Sequence, residues 1–276
     1  MPARWRLRAA AAALLLAASA GVARAGEVAL TFDDLPTLQL PDDQAYAELT
    51  TIRLVQGLRR HRIPATGFVI GDKLEGPEAK PNAEVLRQWL AAGFVLGNHT
   101  WDHPSLDKEP LAAYIAGVAQ TDDVLKPLLA PYGQRPRWFR YPYLETGGKP
   151  GIETAFQAWL AKRGYRNAPV TIENSDWMFA LPYDEAVLRH DAAAARRVKT
   201  EYLDYTEKAV AWYRLASWSL FGRPIAFVFL LHATRLNADC LDDLAAIFKA
   251  NDLTPLSLSE ALKDPAYAIP DHYVGA

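Results

Sequence analysis

The chain has 276 residues, of which half are hydrophobic and 22% are charged; this composition is typical of a globular domain and excludes an intrinsically disordered protein. The first 25 residues carry four arginines and no acidic residue, so the remaining 251 hold 26 basic and 32 acidic residues, a net charge of −6. Proteins that bind nucleic acid or an anionic membrane carry a basic excess. We therefore expect neither partner.

The N-terminus has the three parts of a secretory signal peptide. Basic residues precede an apolar run over residues 9–20, and Ala23 and Ala25 form an A-x-A cleavage site. The run is too short to span a membrane, which needs about 20 apolar residues. We expect residues 1–25 to be a signal peptide cleaved near Ala25, leaving one periplasmic or secreted domain over residues 26–276. The alternative is an uncleaved N-terminal helix.

Short β-rich runs alternate with longer amphipathic stretches. In chain order, the predicted strands are residues 28–32, 65–70, 94–96, 138–140, 165–170, 225–231 and 253–256. The predicted helices are residues 43–61, 83–92, 109–129, 151–163 and 240–251, with a long helical segment over 184–220. This alternation indicates an α/β protein with a parallel sheet. Seven strands can close into a barrel or form an open doubly wound sheet, and periodicity leaves both open.

Cys240 is the only cysteine in the sequence, so no disulfide can form within the chain. It begins a stretch with helical apolar spacing, which predicts a buried structural thiol. The alternative, a catalytic thiol, needs a neighbouring base or positive charge that this stretch does not supply.

Side chains that can bind a metal or transfer a proton follow the predicted strands. They are Asp33, Asp34, His99, His103, Arg140, Asp176 and His232. All lie at or beyond the carboxyl ends of strands, where parallel α/β folds place their active sites. Singly, each has a structural alternative: the paired aspartates as a turn or helix cap, Arg140 in a salt bridge, and His232 as a satisfied core histidine.

The two histidines at positions 99 and 103 are four residues apart, a spacing that lets two imidazoles converge on one cation. Thr100 stands where a zincin protease has glutamate, so the motif is a different one. Pro104 disfavours an α conformation at His103, which predicts a loop or a helix edge. One aspartate and two histidines would form a three-ligand zinc site with an open position, as catalytic zinc sites have.

Five motifs occur in order along the chain. They are Thr31-Phe32-Asp33-Asp34, His99-Thr100-x-x-His103, Arg140-x-Pro142-Tyr143, Asp176-Trp177 and Leu230-x-His232. The set resembles the motifs of the polysaccharide deacetylases, carbohydrate esterase family four, which have a NodB homology domain. The resemblance runs from about residue 28 to residue 262. It implies an α/β fold, a single-domain distorted (β/α)7 barrel.

The resemblance also implies roles for the metal-binding residues and the base. Asp34, His99 and His103 would bind the metal, which is Zn²⁺ with Co²⁺ or Ni²⁺ as alternatives. Asp33 would be the general base, and Arg140 would hold it in place.

A second group of roles concerns the acid and the substrate. His232 would be the general acid, and Asp176 would tune its protonation. The backbone N–H of Tyr143 would stabilise the oxyanion, while Trp177 and Leu230 would line the pocket for the acetyl group.

The implied activity is the metal-dependent removal of N-acetyl groups from N-acetylglucosamine-containing polysaccharide or oligosaccharide, with release of acetate. One departure is Leu35-Pro36, where family members commonly have Gly-Pro after the paired aspartates. We expect the Leu35 side chain to narrow the mouth of the site. A narrower mouth leaves two other activities open, hydrolysis of a small non-sugar amide or of an O-acetyl ester. A third alternative is an inactive carbohydrate-binding relative.

We expect segment 184–220 to lie beside the cleft.

Overall fold

The computed structural model describes residues 26–38 and 44–270, so the predicted signal peptide lies outside the described residues. The strands are β1 (Gly26–Leu35), β2 (Ala65–Val69), β3 (Val95–Asn98), β4 (Trp138–Phe139), β5 (Arg166–Asn167), β6 (Ile172–Glu173), β7 (Ala226–His232) and β8 (Leu253–Pro255). All but β6 coincide with a predicted strand.

Eight α-helices lie in the same described part of the chain. They are α1 (Gln44–Arg60), α2 (Ala79–Ala91), α3 (Leu111–Leu129), α4 (Ile152–Lys162), α5 (Asp176–Leu188), α6 (Ala192–Phe221), α7 (Arg235–Ala250) and α8 (Leu258–Ala261). The single segment predicted over residues 184–220 is wrong in its bounds, because α5 ends at Leu188 and α6 begins separately. Asp191 separates the two helices and caps α6 by accepting a hydrogen bond from the Ala194 N–H.

Every strand pairing in the sheet is parallel, as the alternation predicted. The strands lie in the order β5-β4-β3-β2-β1-β7-β6, and β8 pairs with the start of β1. The sheet curls into a partial barrel with the helices outside. Within the described residues no backbone pairing joins β5 to β6, so this seam is where the barrel is distorted.

Side chains along β1 alternate between the two faces of the curled sheet. Val28, Leu30 and Phe32 pack in the main core against the helices. Thr31 and Asp33 face the inside of the curl, so polar side chains reach the carboxyl end of the sheet from within the barrel. The helices thus stabilise the sheet from outside, and the inner face at the carboxyl end of the sheet carries the polar side chains of the candidate site.

Cys240 lies on α7 and is fully buried in the main core, which confirms the prediction of a buried thiol. Burial raises the pKa of the thiol to about 12, so the sulfur stays protonated and unreactive. Among the residues described, no helix has both the length and the apolar character needed to cross a membrane.

Candidate active site

A bulge in β1 turns both neighbouring aspartates toward the same site. Phe32 pairs with Gly67 of β2 and Leu35 pairs with Val69, so three steps along β1 match two along β2. The extra residue is accommodated at Asp34, whose φ of 62° lies in the left-handed region.

The three predicted metal ligands come together at this edge of the sheet. Asp34 Oδ1 lies 3.4 Å from His99 Nε2 and 3.4 Å from His103 Nε2. One ligand atom from each residue lies within 4.8 Å of the others. Asp34 Oδ1 is buried and has no hydrogen-bond partner within the described part of the chain, which is the environment that a cation would satisfy.

Each histidine is held with Nε2 facing the aspartate. His99 Nδ1 donates to the carbonyl oxygen of Arg140 at 2.8 Å, which leaves Nε2 as the atom with the free electron pair. His103 lies in a loop, as Pro104 predicted, with φ of 58°. Its backbone N–H donates to Thr100 Oγ1 at 3.2 Å, which closes the turn between the two histidines.

The protonation states of these residues suit metal binding. Burial and the neighbouring His99 lower the pKa of His103 to about 4, so the imidazole is neutral at neutral pH. Burial raises the pKa of Asp34, but the adjacent His99 and the positive charge of His232 lower it more strongly, to well below its ordinary value. Two imidazoles and one carboxylate fit Zn²⁺, which takes nitrogen and oxygen ligands.

Asp33 is held by a buried arginine. Arg140 Nη1 donates to Asp33 Oδ2 at 3.2 Å, while Nη2 donates to Thr31 Oγ1 at 3.0 Å and Nε to the Ala168 carbonyl at 2.7 Å. Arg140 is thereby fixed on three sides. Asp33 Oδ1 is buried and has no hydrogen-bond partner in the described residues, so it is free to accept a proton.

His232 lies across the site from the histidine pair. Its Nδ1 donates to Asp176 Oδ1 at 2.8 Å, and its backbone N–H donates to Asp176 Oδ2 at 2.6 Å. Its Nε2 lies 4.0 Å from Asp34 Oδ2. Burial lowers the pKa of His232, but the Asp176 carboxylate and the more distant Asp34 and Asp33 raise it more strongly, to about 9. The imidazole is therefore protonated at neutral pH.

The three predicted substrate-contacting residues differ in their exposure to solvent. Tyr143 is 64% exposed, with its ring edge-on to His103 at 4.5 Å between centroids. Trp177 is 52% exposed on α5, next to Asp176. Leu230 is buried and lies two residues before His232 on β7, so both face the inside of the barrel.

Leu35 does not lie at the mouth of the site. Its side chain is fully buried in the main core. It covers Gly67, where an added Cβ would lie 2.4 Å from Leu35 Cδ2. The expectation that Leu35 narrows the mouth is wrong, because the bulge at Asp34 returns the next side chain to the helix-facing side of the sheet.

Two polar residues that support the site were not singled out from the sequence as functional. Thr31 accepts from Arg140 and donates to the Phe229 carbonyl at 2.9 Å. Asn237 of α7 donates to Asp176 Oδ2. Thr31 stands inside the first motif, which was a usable signal, whereas Asn237 belongs to none of the five motifs.

The polysaccharide deacetylase family model matches residues 20–166, just over half of the chain. The protein is a polysaccharide deacetylase family member. A peptidoglycan-N-acetylglucosamine deacetylase of Bacillus cereus is 30% identical over 151 residues, which are 55% of this chain and 46% of that protein. A chitin deacetylase of Colletotrichum lindemuthianum is 27% identical over 152 residues, 55% of this chain and 53% of that one. The chain spans about half the length of the curated relatives it matches.

Solved structures share the fold of this polysaccharide deacetylase family member. A CE4 family pseudoenzyme from Bacillus anthracis aligns with a TM-score of 0.60 at 17% identity, covering 87% of this chain and 66% of that one. The prediction of a distorted (β/α)7 barrel in one domain is confirmed.

Proposed function

We propose that this protein is a metal-dependent hydrolase that removes N-acetyl groups from N-acetylglucosamine-containing glycans and releases acetate. The observation that carries the proposal is the cluster of Asp34, His99 and His103. It is flanked by the Asp33 carboxylate and by the His232 imidazole, which Asp176 holds in place. The Bacillus cereus and Colletotrichum lindemuthianum relatives, named as deacetylases of such glycans, support this substrate class.

Hydrolysis of an amide needs a base for the attacking water, a stabilised oxyanion and a proton for the departing nitrogen. Asp33 Oδ1 accepts the proton of the water while Arg140 holds Oδ2. The backbone N–H of Tyr143 donates to the oxyanion. His232 Nε2 then protonates the amine as the C–N bond breaks, leaving acetate and a free amino sugar. Zn²⁺ bound at the three-ligand site would polarise the carbonyl and acidify water.

Metal content and acetate release test the proposal together. Purified protein is expected to hold about one equivalent of a divalent metal, as a three-ligand catalytic site does. The substrate panel is N-acetylchitooligosaccharides, peptidoglycan and O-acetylated xylan, scored by acetate. Acetate from the first two supports the proposal. Less than about a tenth of an equivalent of metal would support the inactive carbohydrate-binding alternative.

The alternatives within hydrolases, a small non-sugar amide or an O-acetyl ester, depended on a narrowed mouth. The buried position of Leu35 removes that support. Release of acetate from the xylan alone would instead favour hydrolysis of an O-acetyl ester.

Substitution of Leu35 tests its assignment to the core. Leu35→Ala is expected to lower the free energy of unfolding by about 2–5 kcal/mol, measured by urea denaturation, and to leave the KM for glycan unchanged. Leu49→Ala, at an exposed position on α1, is the control and should change stability by less than about 0.5 kcal/mol. A changed KM with unchanged stability would place Leu35 at the mouth after all.

We further propose that the mature protein acts in the periplasm or outside the cell, after removal of residues 1–25. N-terminal sequencing of the protein recovered from the periplasm or medium tests this. A mature N-terminus at or near Gly26 supports it, and an intact Met1 contradicts it.

A further inference from the structure

A buried chain of hydrogen bonds connects helix α6 to the Asp176–His232 pair. The Tyr202 hydroxyl of α6 lies 2.6 Å from Asn237 Oδ1. Asn237 Nδ2 lies 2.5 Å from Asp176 Oδ2 and 2.8 Å from the His232 carbonyl oxygen. Asp176 Oδ1 accepts from His232 Nδ1. This hydrogen-bond chain therefore runs from α6 through α7 and α5 to the end of β7.

The chemistry of the groups determines the direction of each bond. A carboxylate and a carbonyl oxygen can only accept, so Asn237 must turn Nδ2 toward Asp176 and Oδ1 toward Tyr202. The Tyr202 hydroxyl therefore donates to Asn237, and it accepts from Asn174 Nδ2 at 3.1 Å. The donors from Asn174, Tyr202 and Asn237 therefore point toward Asp176. His232 donates to the same carboxylate from the other side, so both ends of the hydrogen-bond chain converge on Asp176.

Water cannot replace a lost member of this chain. Tyr202, Asn237 and Asn174 are fully buried. Burial, reinforced by the charge of Asp176, raises the pKa of Tyr202 well above its ordinary value, so its hydroxyl stays a donor. Removing one member leaves a buried polar group unpaired, which carries its full desolvation penalty.

We propose that Tyr202 and Asn237 are positioning residues for His232, acting through Asp176, and that one function of helix α6 is to supply Tyr202. The inference rests on the proposed function, because it takes His232 as the proton donor. Asp176 binds both the ring and the backbone N–H of His232. Asn237 keeps the carboxylate in the one orientation in which both bonds form, so the imidazole stays aimed at the leaving nitrogen.

Removing the Tyr202 hydroxyl tests the hydrogen bond between Tyr202 and Asn237. Tyr202→Phe is expected to lower kcat for acetate release about 10-fold, with KM and metal content unchanged, since outer-shell partners typically contribute 10–100-fold. The preferred glycan of the substrate panel is the probe. Tyr183→Phe is the matched control. The Tyr183 hydroxyl also joins two helices, α5 and α7, by donating to Asp239 Oδ2 at 3.0 Å, but it takes no part in the hydrogen-bond chain. Its kcat should stay within about two-fold of wild type.

Asn237→Asp removes the hydrogen bond from Asn237 to Asp176. It keeps the side-chain shape and an acceptor for Tyr202, but it places an oxygen against Asp176. We expect kcat to fall by about 10-fold or more, and the double variant with Tyr202→Phe to fall no further, because Tyr202 acts through Asn237. A merely structural role predicts instead that the two losses multiply and follow the loss of melting temperature.

The wild-type protein in the same assay separates this inference from the proposed function. No acetate release by the wild type overturns the proposed function. Normal wild-type turnover, with Tyr202→Phe equal to Tyr183→Phe, overturns the positioning role alone. If Tyr202→Phe is not recovered folded, an unchanged kcat in Asn237→Asp overturns it.

Discussion

Asp33→Asn is expected to lower kcat by about 10²–10⁴-fold while the protein keeps its full complement of metal. The asparagine has nearly the same shape as the aspartate and can still bond Arg140 through its amide oxygen. It cannot accept a proton at neutral pH, so only the transfer from water is lost. The metal ligands Asp34, His99 and His103 are unchanged, so affinity for the metal should remain.

The measurement is steady-state acetate release at saturating glycan, together with metal analysis of the same preparation. Asp123→Asn, on the exposed side of α3, is the control for removing one negative charge. A second comparison, Arg140→Gln, should also lower kcat, because Asp33 Oδ2 then loses its buried partner. Near-normal turnover of Asp33→Asn would show that another group takes the proton.

The site could be predicted because parallel strands bring their carboxyl ends to one edge. Asp33 on β1 pairs in register with His232 on β7, although 199 positions separate them in sequence. His99 follows β3, two strands away on the other side of β1. A rule about strand ends therefore places distant residues together without knowledge of the helices.

The residues that hold the site in place could not be predicted in the same way. Tyr202 and Asn237 lie on two different helices, and their contact depends on how α6 packs on α5 and α7. In the sequence, Tyr202 reads as one more apolar position of an amphipathic helix. Its hydroxyl acquires a role only from the buried acceptor opposite it, which no local pattern specifies.

Leu35 shows the limit of reasoning from sequence neighbours. Its position after Asp34 indicates proximity to the site, but a side chain's direction depends on the pleat of its strand. The bulge adds one residue to β1, so Asp33 and Asp34 both serve the site and Leu35 returns to the core. A one-residue change of register reverses the face of every following side chain, and the bulge was not apparent from periodicity.

His103→Ala is expected to remove metal and activity together. Only Asp34 and His99 would remain as protein ligands, and two ligands do not hold zinc in the three-ligand geometry of catalytic sites. Metal content should fall below about a tenth of an equivalent, and acetate release should fall by more than the 10–100-fold typical of outer-shell changes. The fold should survive, because His103 lies in a loop and its side chain is partly exposed.

His190→Ala is the matched control, since His190 is exposed in the turn between α5 and α6. It should keep metal and activity at wild-type levels. Circular dichroism and the urea midpoint distinguish loss of a ligand from loss of the fold. If His103→Ala retained a full equivalent of metal, the ligand set would be wrong. Retained metal with lost turnover would instead assign His103 to the substrate side, where its ring already meets Tyr143.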